Sequence, residues 1–228
     1  MSQFTHLECS ACGEKHDADT IQTVCKKCGK PLFARYDLEA VKESLTKREL
    51  VGREASMWRY FELLPVKSRK NIVSLGEGWT PLTPTPVLGK ESGSPDLWIK
   101  EEGIIPTGSF KARGLGMAIS KAKELGITSV ALPSAGNAAG AMAAYGARAG
   151  MKVYVFMPKD APQVNMVECQ ITGAKVVLVD GLISDAGKLV KEGMDEMQWF
   201  NVATLGEPYR VEGKKTMGLE VAEQMGWK

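Results

Sequence analysis

From about residue 97 onwards, short apolar runs alternate with longer segments that have helical spacing, and this alternation restricts the fold more than any other feature. Runs such as Val176–Val179 are continuously apolar, which is typical of parallel strands buried on both faces. Gly126, Gly150 and Gly173 follow three of the helical segments and predict where those helices end. The pattern predicts an α/β fold with a doubly wound, mostly parallel sheet.

The predicted elements can be placed along the sequence from this pattern. The predicted strands are Leu97–Lys100, Ser129–Leu132, Val153–Met157, Lys175–Val179 and Trp199–Ala203. The predicted helices are Ser109–Leu125, Asn137–Ala149, Gln163–Thr172, Ser184–Met197 and Val211–Met225. Because the alternation reaches the last residues without a finishing strand, we expect the chain to be a fragment of a longer protein.

Two closely spaced cysteine pairs mark the N-terminal region as a separate unit. Cys9 and Cys12 form one pair, Cys25 and Cys28 the other, and a glycine follows each pair directly. This spacing is typical of a four-cysteine zinc ribbon, in which glycine lets backbone amides turn towards the thiolates. Four thiolates leave no open coordination position, so we expect a structural zinc ion.

These patterns together predict three regions. Residues 1–35 are expected to form the zinc ribbon, and residues 36–73 a helical connector, in which Pro65 ends the helical pattern. Residues 74–228 are expected to form the N-terminal part of a larger catalytic region. The fifth cysteine, Cys169, lies in an apolar helical stretch and is interpreted as a buried small hydrophobe.

Charge and composition exclude several classes of function. The formal net charge is only +2, which favours neither a nucleic acid nor an anionic membrane as partner. No apolar run approaches the ~20 residues of a membrane helix, and the first residues lack the pattern of a signal peptide. A cytoplasmic location is the resulting expectation. Residues 17–228 contain no histidine, which excludes histidine-based catalysis in that part.

One lysine lies where a covalent cofactor could reach it. In Pro106–Gly114 the sequence places Lys111 at the start of a helix, behind small and flexible residues. A lysine that forms an imine with a flat aldehyde needs open space in front and a backbone that can bend closely. Ser109 is a candidate cap for the helix. The motif by itself is equally compatible with an ordinary junction between a loop and a helix.

A second motif follows the next predicted strand. The turn Pro133–Gly140 leads from that strand into a helix rich in small residues. Backbone amides at such a helix N-terminus form a site for a carboxylate or a phosphate. Asn137 adds a side chain that can both donate and accept hydrogen bonds.

Four motifs in consistent order carry a family resemblance: LGEGWTPL, PTGSFKARG, SAGNAAGA and EPYRVEGKKT. Over roughly residues 74–228 the chain resembles the fold type II pyridoxal-phosphate enzymes, and among them the threonine synthases, which often carry a cysteine-rich N-terminal segment. The resemblance implies a lyase that converts O-phospho-L-homoserine and water to L-threonine and phosphate. It also implies an amino-acid substrate and a homodimer.

The resemblance also assigns roles to individual residues. It implies that Lys111 is the catalytic lysine that binds pyridoxal 5′-phosphate, with Phe110 beside the cofactor ring and Asn137 on the ring oxygen. It implies that the substrate carboxylate binds the turn, and that an arginine binds the substrate phosphate. The substrate-binding residues implied are Ser134, Ala135, Gly136, Asn137, Ala138, Arg210 and Thr80.

Departures from the family pattern leave the substrate open. Ala112 stands where threonine synthases commonly have aspartate, and Ala135 makes the turn resemble that of the amino-acid dehydratases. Leu205 cannot donate to a phosphate. A serine or threonine ammonia-lyase, or another β-replacement enzyme, is therefore the main alternative. A zinc-ribbon binding module on an inactive scaffold is a third, but the intact Lys111 and the near-neutral charge argue against it.

Overall fold

The N-terminal region is a small antiparallel sheet. A computed structural model describes residues 1–227. Strands β1 (Phe4–Cys9), β2 (Lys15–Asp17) and β3 (Leu32–Tyr36) form a sheet with the order β2-β1-β3. Leu7 on the central strand is fully buried and pairs with a residue of each neighbouring strand.

The segment that follows is a series of short helical turns. It contains helices α1 (Leu38–Ser44) and α2 (Lys47–Leu50) and 3₁₀ turns at Met57–Leu63 and Arg69–Asn71. Asp37 and Thr46 begin the two α-helices by accepting hydrogen bonds from backbone amides in their first turns. The helical character predicted for this segment is present, but in separate short pieces.

One predicted strand lies outside the main sheet. Strand β4 (Leu82–Pro84), helix α3 (Pro86–Glu91) and strand β5 (Trp98–Lys100) form a small antiparallel unit. The strand predicted at Leu97–Lys100 thus exists, but it pairs with β4 and not with the parallel strands. Periodicity predicts that a segment is extended and leaves its pairing partner undetermined.

The parallel sheet has the order β8-β7-β6-β9. Its strands are β6 (Ser129–Pro133), β7 (Lys152–Pro158), β8 (Lys175–Val179) and β9 (Phe200–Asn201). The accompanying helices are α4 (Lys111–Glu124), α5 (Asn137–Arg148), α6 (Gln163–Ile171), α7 (Ile183–Glu192), α8 (Met194–Met197) and α9 (Tyr209–Gln224). These bounds confirm the predicted α/β alternation, apart from one helix that is broken and a last strand that is shorter than predicted.

The break lies at Gly193, between α7 and α8, where the sequence predicted one helix from Ser184 to Met197. A Cβ at Gly193 would lie 2.4 Å from the ring of Trp199. The absence of a side chain there lets the tryptophan pack against the end of α7.

Apolar residues of β6 and β7 are buried on both faces of the sheet. The prediction that Val176–Val179 is buried in the same way is wrong, because β8 lies at the edge of the sheet and exposes Val177 and Leu178. Val130 and Leu132 of β6 join a cluster with α4 and α5, whereas the intervening Ala131 joins one with α7. Successive side chains of a strand point to opposite faces, so the sheet is covered on both sides. This is the doubly wound arrangement that the sequence predicts. None of the helices within residues 1–227 has the length and apolarity that crossing a membrane requires.

Candidate active site

Lys111 is the first helical residue of α4, and a tight turn precedes it. Thr107 and Gly108 both have left-handed backbones, with φ of 66° and 64°. The chain then becomes extended at Ser109, whose hydroxyl accepts a hydrogen bond from the Lys111 amide at 3.4 Å. Ser109 therefore contacts the helix start, although Phe110 and not Ser109 is the residue that immediately precedes the helix.

The Lys111 amine is half-buried and lies against an aromatic ring. Its Nζ is 3.8 Å from the centroid of the Phe110 ring. Burial, followed by the nearby Arg210 charge, lowers the pKa of Lys111. A lower pKa leaves more of the amine neutral near pH 7, which is the form that attacks an aldehyde.

The turn between β6 and α5 presents backbone amides to open space. The Ser134 hydroxyl accepts a hydrogen bond from the Gly136 amide at 3.4 Å. A Cβ added at Gly136 would meet no atom within 4 Å. Asn137 is exposed and begins α5, so its amide and that of Ala138 have no intrahelical acceptor, whereas the Ala139 amide donates to the Gly136 carbonyl oxygen at 2.8 Å. The Ser134 amide donates to the Phe156 carbonyl oxygen and the Gly136 amide to the Ser134 hydroxyl, so the amides of Ala135, Asn137 and Ala138 are the donors left for a carboxylate.

Asn165 braces this turn from the neighbouring helix. Its Nδ2 donates to the Ala135 carbonyl oxygen at 2.6 Å. Asn165 lies in the first turn of α6 and was not singled out by the sequence, since a polar residue near a helix start is common.

Helix α4 connects the predicted site residues. It packs against both α5 and α9, and the 3₁₀ turn Pro106–Gly108 contacts α5. A Cβ at Gly213 of α9 would lie 2.0 Å from the Arg113 carbonyl oxygen of α4, so the two helices touch through their backbones. The lysine of one motif and the arginine of another therefore lie on directly adjoining helices.

Arg210 lies in the first turn of α9 and is almost completely buried, at 1% exposed. Its Nη1 donates to the Val202 carbonyl oxygen at 2.8 Å. Its Nε and Nη2 are buried and have no hydrogen-bond partner among the described residues. These two atoms form one edge of the guanidinium plane, the edge that binds two oxygens of a carboxylate or phosphate. Unpaired buried donors are costly, so this edge is suited to an anion.

Glu207 organises the start of the same helix. Its carboxylate accepts the amides of Tyr209 at 2.6 Å and Arg210 at 3.1 Å. Complete burial raises the pKa of Glu207 to about 7, although these amides and the Arg210 charge act in the opposite direction. Glu207 begins the EPYRVEGKKT motif, but the sequence analysis assigned it no role, because its two hydrogen bonds to amides at the start of α9 depend on the fold.

Thr80, a predicted substrate contact, is placed in a buried ionic network. Its hydroxyl donates to Glu102 at 2.6 Å and accepts from Arg113 Nη2 at 3.2 Å. Arg113 also donates to Glu220 from both terminal nitrogens. The Thr80 hydroxyl is therefore already committed to charged neighbours within the protein.

Two residues that depart from the family pattern have different environments. Ala112 is fully buried at the start of α4, where a larger polar side chain would need a partner. Leu205 is 50% exposed and has a left-handed backbone with φ of 60°. A β-turn position of this kind is unusual for leucine and favours glycine or asparagine.

The four N-terminal cysteines come together at one point. Their sulfurs all lie within 4.8 Å of one another, with Cys9 and Cys28 3.4 Å apart and Cys12 and Cys25 3.7 Å apart. No disulfide joins them. The amides of Cys12 and Ala11 donate to the Cys9 sulfur and lower the pKa of Cys9 to about 6. Gly13 and Gly29 both have φ near +70°, as knuckle turns require. This cluster could hold a metal ion.

Comparisons with known families agree with this geometry. A family model described as "Pyridoxal-phosphate dependent enzyme" matches residues 73–228. The threonine synthase of Methanocaldococcus jannaschii is 40% identical over 96% of this chain and 54% of its own length. That of Methanosarcina acetivorans is 38% identical over 98% of this chain and 54% of its own. The chain spans about half the length of these relatives.

Solved structures show the same fold. A pyridoxal 5′-phosphate-dependent aspartate racemase is 29% identical, with a TM-score of 0.59 over 64% of this chain and 46% of its own. The processed threonine deaminase isoform 2 of Solanum lycopersicum is 26% identical, with a TM-score of 0.57 over 64% of this chain and 40% of its own. Escherichia coli diaminopropionate ammonia lyase, at 20% identity and a TM-score of 0.61 over 71% of this chain and 54% of its own, shares the fold.

Proposed function

The chain belongs to the family of pyridoxal-phosphate dependent enzymes, and from this premise we propose that the whole protein (this chain with any residues that accompany it) is a threonine synthase. It would convert O-phospho-L-homoserine and water to L-threonine and inorganic phosphate. The observation that carries the proposal is the open Nε and Nη2 edge of the buried Arg210 guanidinium. The named relatives at 38–40% identity support it.

The surroundings of Lys111 fit the family's cofactor. The amine is half-buried, its pKa is lowered, and it lies beside the Phe110 ring. A Cβ added at Gly136 would meet no atom within 4 Å, so the turn that follows β6 is open at that point. When bound, the cofactor supplies an electron-withdrawing ring that stabilises negative charge on substrate carbons.

Lys111 would hold the cofactor through its ε-amine and would move protons once it is released. Its lowered pKa increases the neutral fraction of the amine, the form that can accept a proton from a substrate carbon and return it to another. No histidine is present in residues 17–228 to do this in its place. Phe110 would limit the position of the cofactor ring by packing against it, and Asn137 would donate to the ring oxygen.

The turn at residues 134–138 would orient the amino-acid end of the substrate. Its backbone amides and the Ser134 hydroxyl can donate to the carboxylate, as amides at a helix start do. Asn165 would fix the turn through the Ala135 carbonyl. Thr80 remains a proposed substrate contact only if its hydroxyl turns away from Glu102.

Arg210 would bind the other end of the substrate, the phosphate. Two parallel N–H donors match two phosphate oxygens, and burial excludes the water that would otherwise compete. An ammonia-lyase acting on free serine or threonine has no anion of this kind to place beside Arg210. For this reason we propose a phosphorylated substrate and not the free serine or threonine of an ammonia-lyase.

Phosphate release from O-phospho-L-homoserine by the whole protein tests the proposal. We expect release in the wild type, loss of turnover in Lys111→Ala, and a raised KM with less change in kcat in Arg210→Lys. Formation of a 2-oxo acid from L-threonine or L-serine, without phosphate release from phosphohomoserine, would contradict the proposal and support the ammonia-lyase.

We also propose that the cysteine cluster holds a structural zinc ion, coordinated by Cys9, Cys12, Cys25 and Cys28. Four sulfur ligands at this separation suit Zn²⁺ and leave no position for a substrate. Unpaired thiols in this arrangement are typical of a reducing compartment, which supports a cytoplasmic location.

A homodimer is the proposed assembly. Val164, Val167 and Ile171 are exposed on one side of α6, and exposed apolar patches of this kind are typical of association surfaces. Light scattering of the whole protein and of Val167→Lys would measure the oligomeric state. A monomeric wild type would contradict this assembly.

A further inference from the structure

Helix α9 carries two cations one turn apart, Arg210 and Lys214, and both lie against the start of α4. A Cβ placed on Gly114 of α4 would lie 3.0 Å from the Arg210 carbonyl oxygen and 3.4 Å from Lys214 Cε. The absence of a side chain at Gly114 therefore lets the Lys214 chain run along the first turn of α4, where Lys111 is located.

The Lys214 amine has no partner among residues 1–227. It makes no hydrogen bond there and has no carboxylate within 4.0 Å, although the residue is half-buried. Its Nζ is 5.7 Å from the centroid of the Phe110 ring, the same ring that Lys111 Nζ approaches to 3.8 Å. Both amines therefore lie close to the same part of the site.

The adjacent Lys215 provides a contrast. Its Nζ donates to Glu212 and lies 4.0 Å from the centroid of the Tyr36 ring, so its charge is neutralised inside the protein. Two neighbouring lysines on one helix thus differ: one is paired structurally and the other is not. Sequence alone presents them as an equivalent pair.

The positively charged side chains of Lys111, Arg210 and Lys214 consequently lie near one another, and few negative charges compensate them. Glu207 is the nearby acid, but its carboxylate already accepts the amides of Tyr209 and Arg210. Burial, then Arg210 and then Lys111, lowers the pKa of Lys214. Partly desolvated like charges repel one another, and an anion placed between them would relieve that repulsion.

We propose that Lys214 is a second residue that binds the substrate phosphate and that it makes the pocket selective for a doubly charged phosphate ester. Arg210 would bind two phosphate oxygens through its open edge, and Lys214 would donate to a third as a compact point charge. A singly charged carboxylate would leave one of the two cations without a partner. This inference rests on the proposed function, because it assigns a role at the same site.

Inorganic phosphate is the probe for the first measurement, since its binding to the whole protein needs no turnover. We expect Lys214→Met to weaken phosphate binding by roughly 10- to 100-fold in calorimetry. Lys214→Arg should restore most of the affinity. Lys215→Met is the matched control: it removes a charge from the same helix and should lower thermal stability while leaving phosphate affinity unchanged.

The second measurement is the kinetics of phosphohomoserine turnover. Lys214→Met should raise KM with little change in kcat, and the absorbance of the bound cofactor should remain that of the wild type. Phosphate affinity in Lys214→Met equal to that of Lys215→Met would overturn the inference and leave the proposed function standing. A wild type that does not turn over phosphohomoserine, together with phosphate binding that depends on Lys214, would support the anion site and contradict the proposed function.

Discussion

Arg113 donates from Nη1 and Nη2 to the two carboxylate oxygens of Glu220, at 2.5 and 2.7 Å, and both side chains are completely buried. Arg113 lies two residues after Lys111 on α4, whereas Glu220 lies on α9, the helix of Arg210. Glu102 and Lys100 extend the network through Arg113 and Glu220 respectively. The two helices that carry the proposed site are therefore joined by charges that water cannot reach.

Removal of one member of this pair should strongly destabilise the protein. In Glu220→Gln the buried Arg113 and Lys100 charges lose their main partner, and we expect the free energy of unfolding to fall by about 3 kcal/mol. Arg35→Ala, which breaks the solvent-exposed ion pair with Glu8, is the control and should cost far less, because water and salt screen such pairs. Denaturant titration measures both. Equal small losses would show that the network does not stabilise the fold.

Glu207 should make stability depend on pH. Its pKa is 4.5 in the reference state and about 7 in the folded protein, so the folded state binds the proton more tightly. Glu207 does not change the free energy of unfolding below pH 4.5, where its carboxyl is protonated in both the folded and the unfolded state. The buried carboxylate destabilises the fold increasingly as pH rises from 4.5 to about 7. Above pH 7 this destabilisation is constant, at roughly 3 kcal/mol.

Glu207→Gln should remove this dependence, because a neutral amide oxygen still accepts the Tyr209 and Arg210 amides. The stability gained by Glu207→Gln over the wild type should therefore increase from pH 4.5 to 7 and then level off. A gain that does not vary with pH would contradict the assigned pKa.

Metal analysis should find about one zinc ion per chain, as a four-thiolate cluster requires. Cys9→Ser should lose the metal and lower the stability of the N-terminal sheet, because β1 carries this ligand. Cys169→Ala, which changes the buried cysteine outside the cluster, should retain it. Full zinc content in Cys9→Ser would exclude the proposed ligand set.

Asn165 should affect substrate binding without touching the substrate. Asn165→Ala frees the Ala135 carbonyl and loosens the turn that presents amides to the carboxylate, so we expect KM to rise roughly fivefold with little change in kcat. Gln163→Ala, at an exposed position of the same helix, is the matched control. If both variants have the kinetics of the wild type, Asn165 does not position the turn.

The sequence predicted the parallel strands well because buried strands need continuous apolar runs, as in Val130–Leu132 of β6. It could not predict that Trp98–Lys100 pairs outside the main sheet, since pairing depends on the rest of the chain. The break at Gly193 was missed for a similar reason: helical spacing continues through it, and the contact with the Trp199 ring is tertiary.

At the candidate site, local motifs indicated Lys111 and the turn at residues 134–138. Glycine and small residues there allow tight turns and a close approach of the backbone to a ligand, and this is visible in the sequence. The motifs did not indicate that Arg113 is buried, since an arginine in a helical pattern normally faces solvent. Its partner Glu220 is distant in sequence, and only the packing of α4 on α9 brings them together. The different environments of Lys214 and Lys215 likewise depend on which helix face contacts α4.

Lys111 is the residue proposed to hold the cofactor, and peptide mapping after borohydride reduction identifies the lysine that carries it. Reduction of the whole protein loaded with pyridoxal 5′-phosphate fixes the cofactor permanently to the lysine that carries it. We predict a mass increase confined to the peptide that contains Lys111, and no increase at that peptide in Lys111→Ala. Attachment at another lysine, such as Lys214 or Lys121, or no attachment at all, would contradict the role proposed for Lys111.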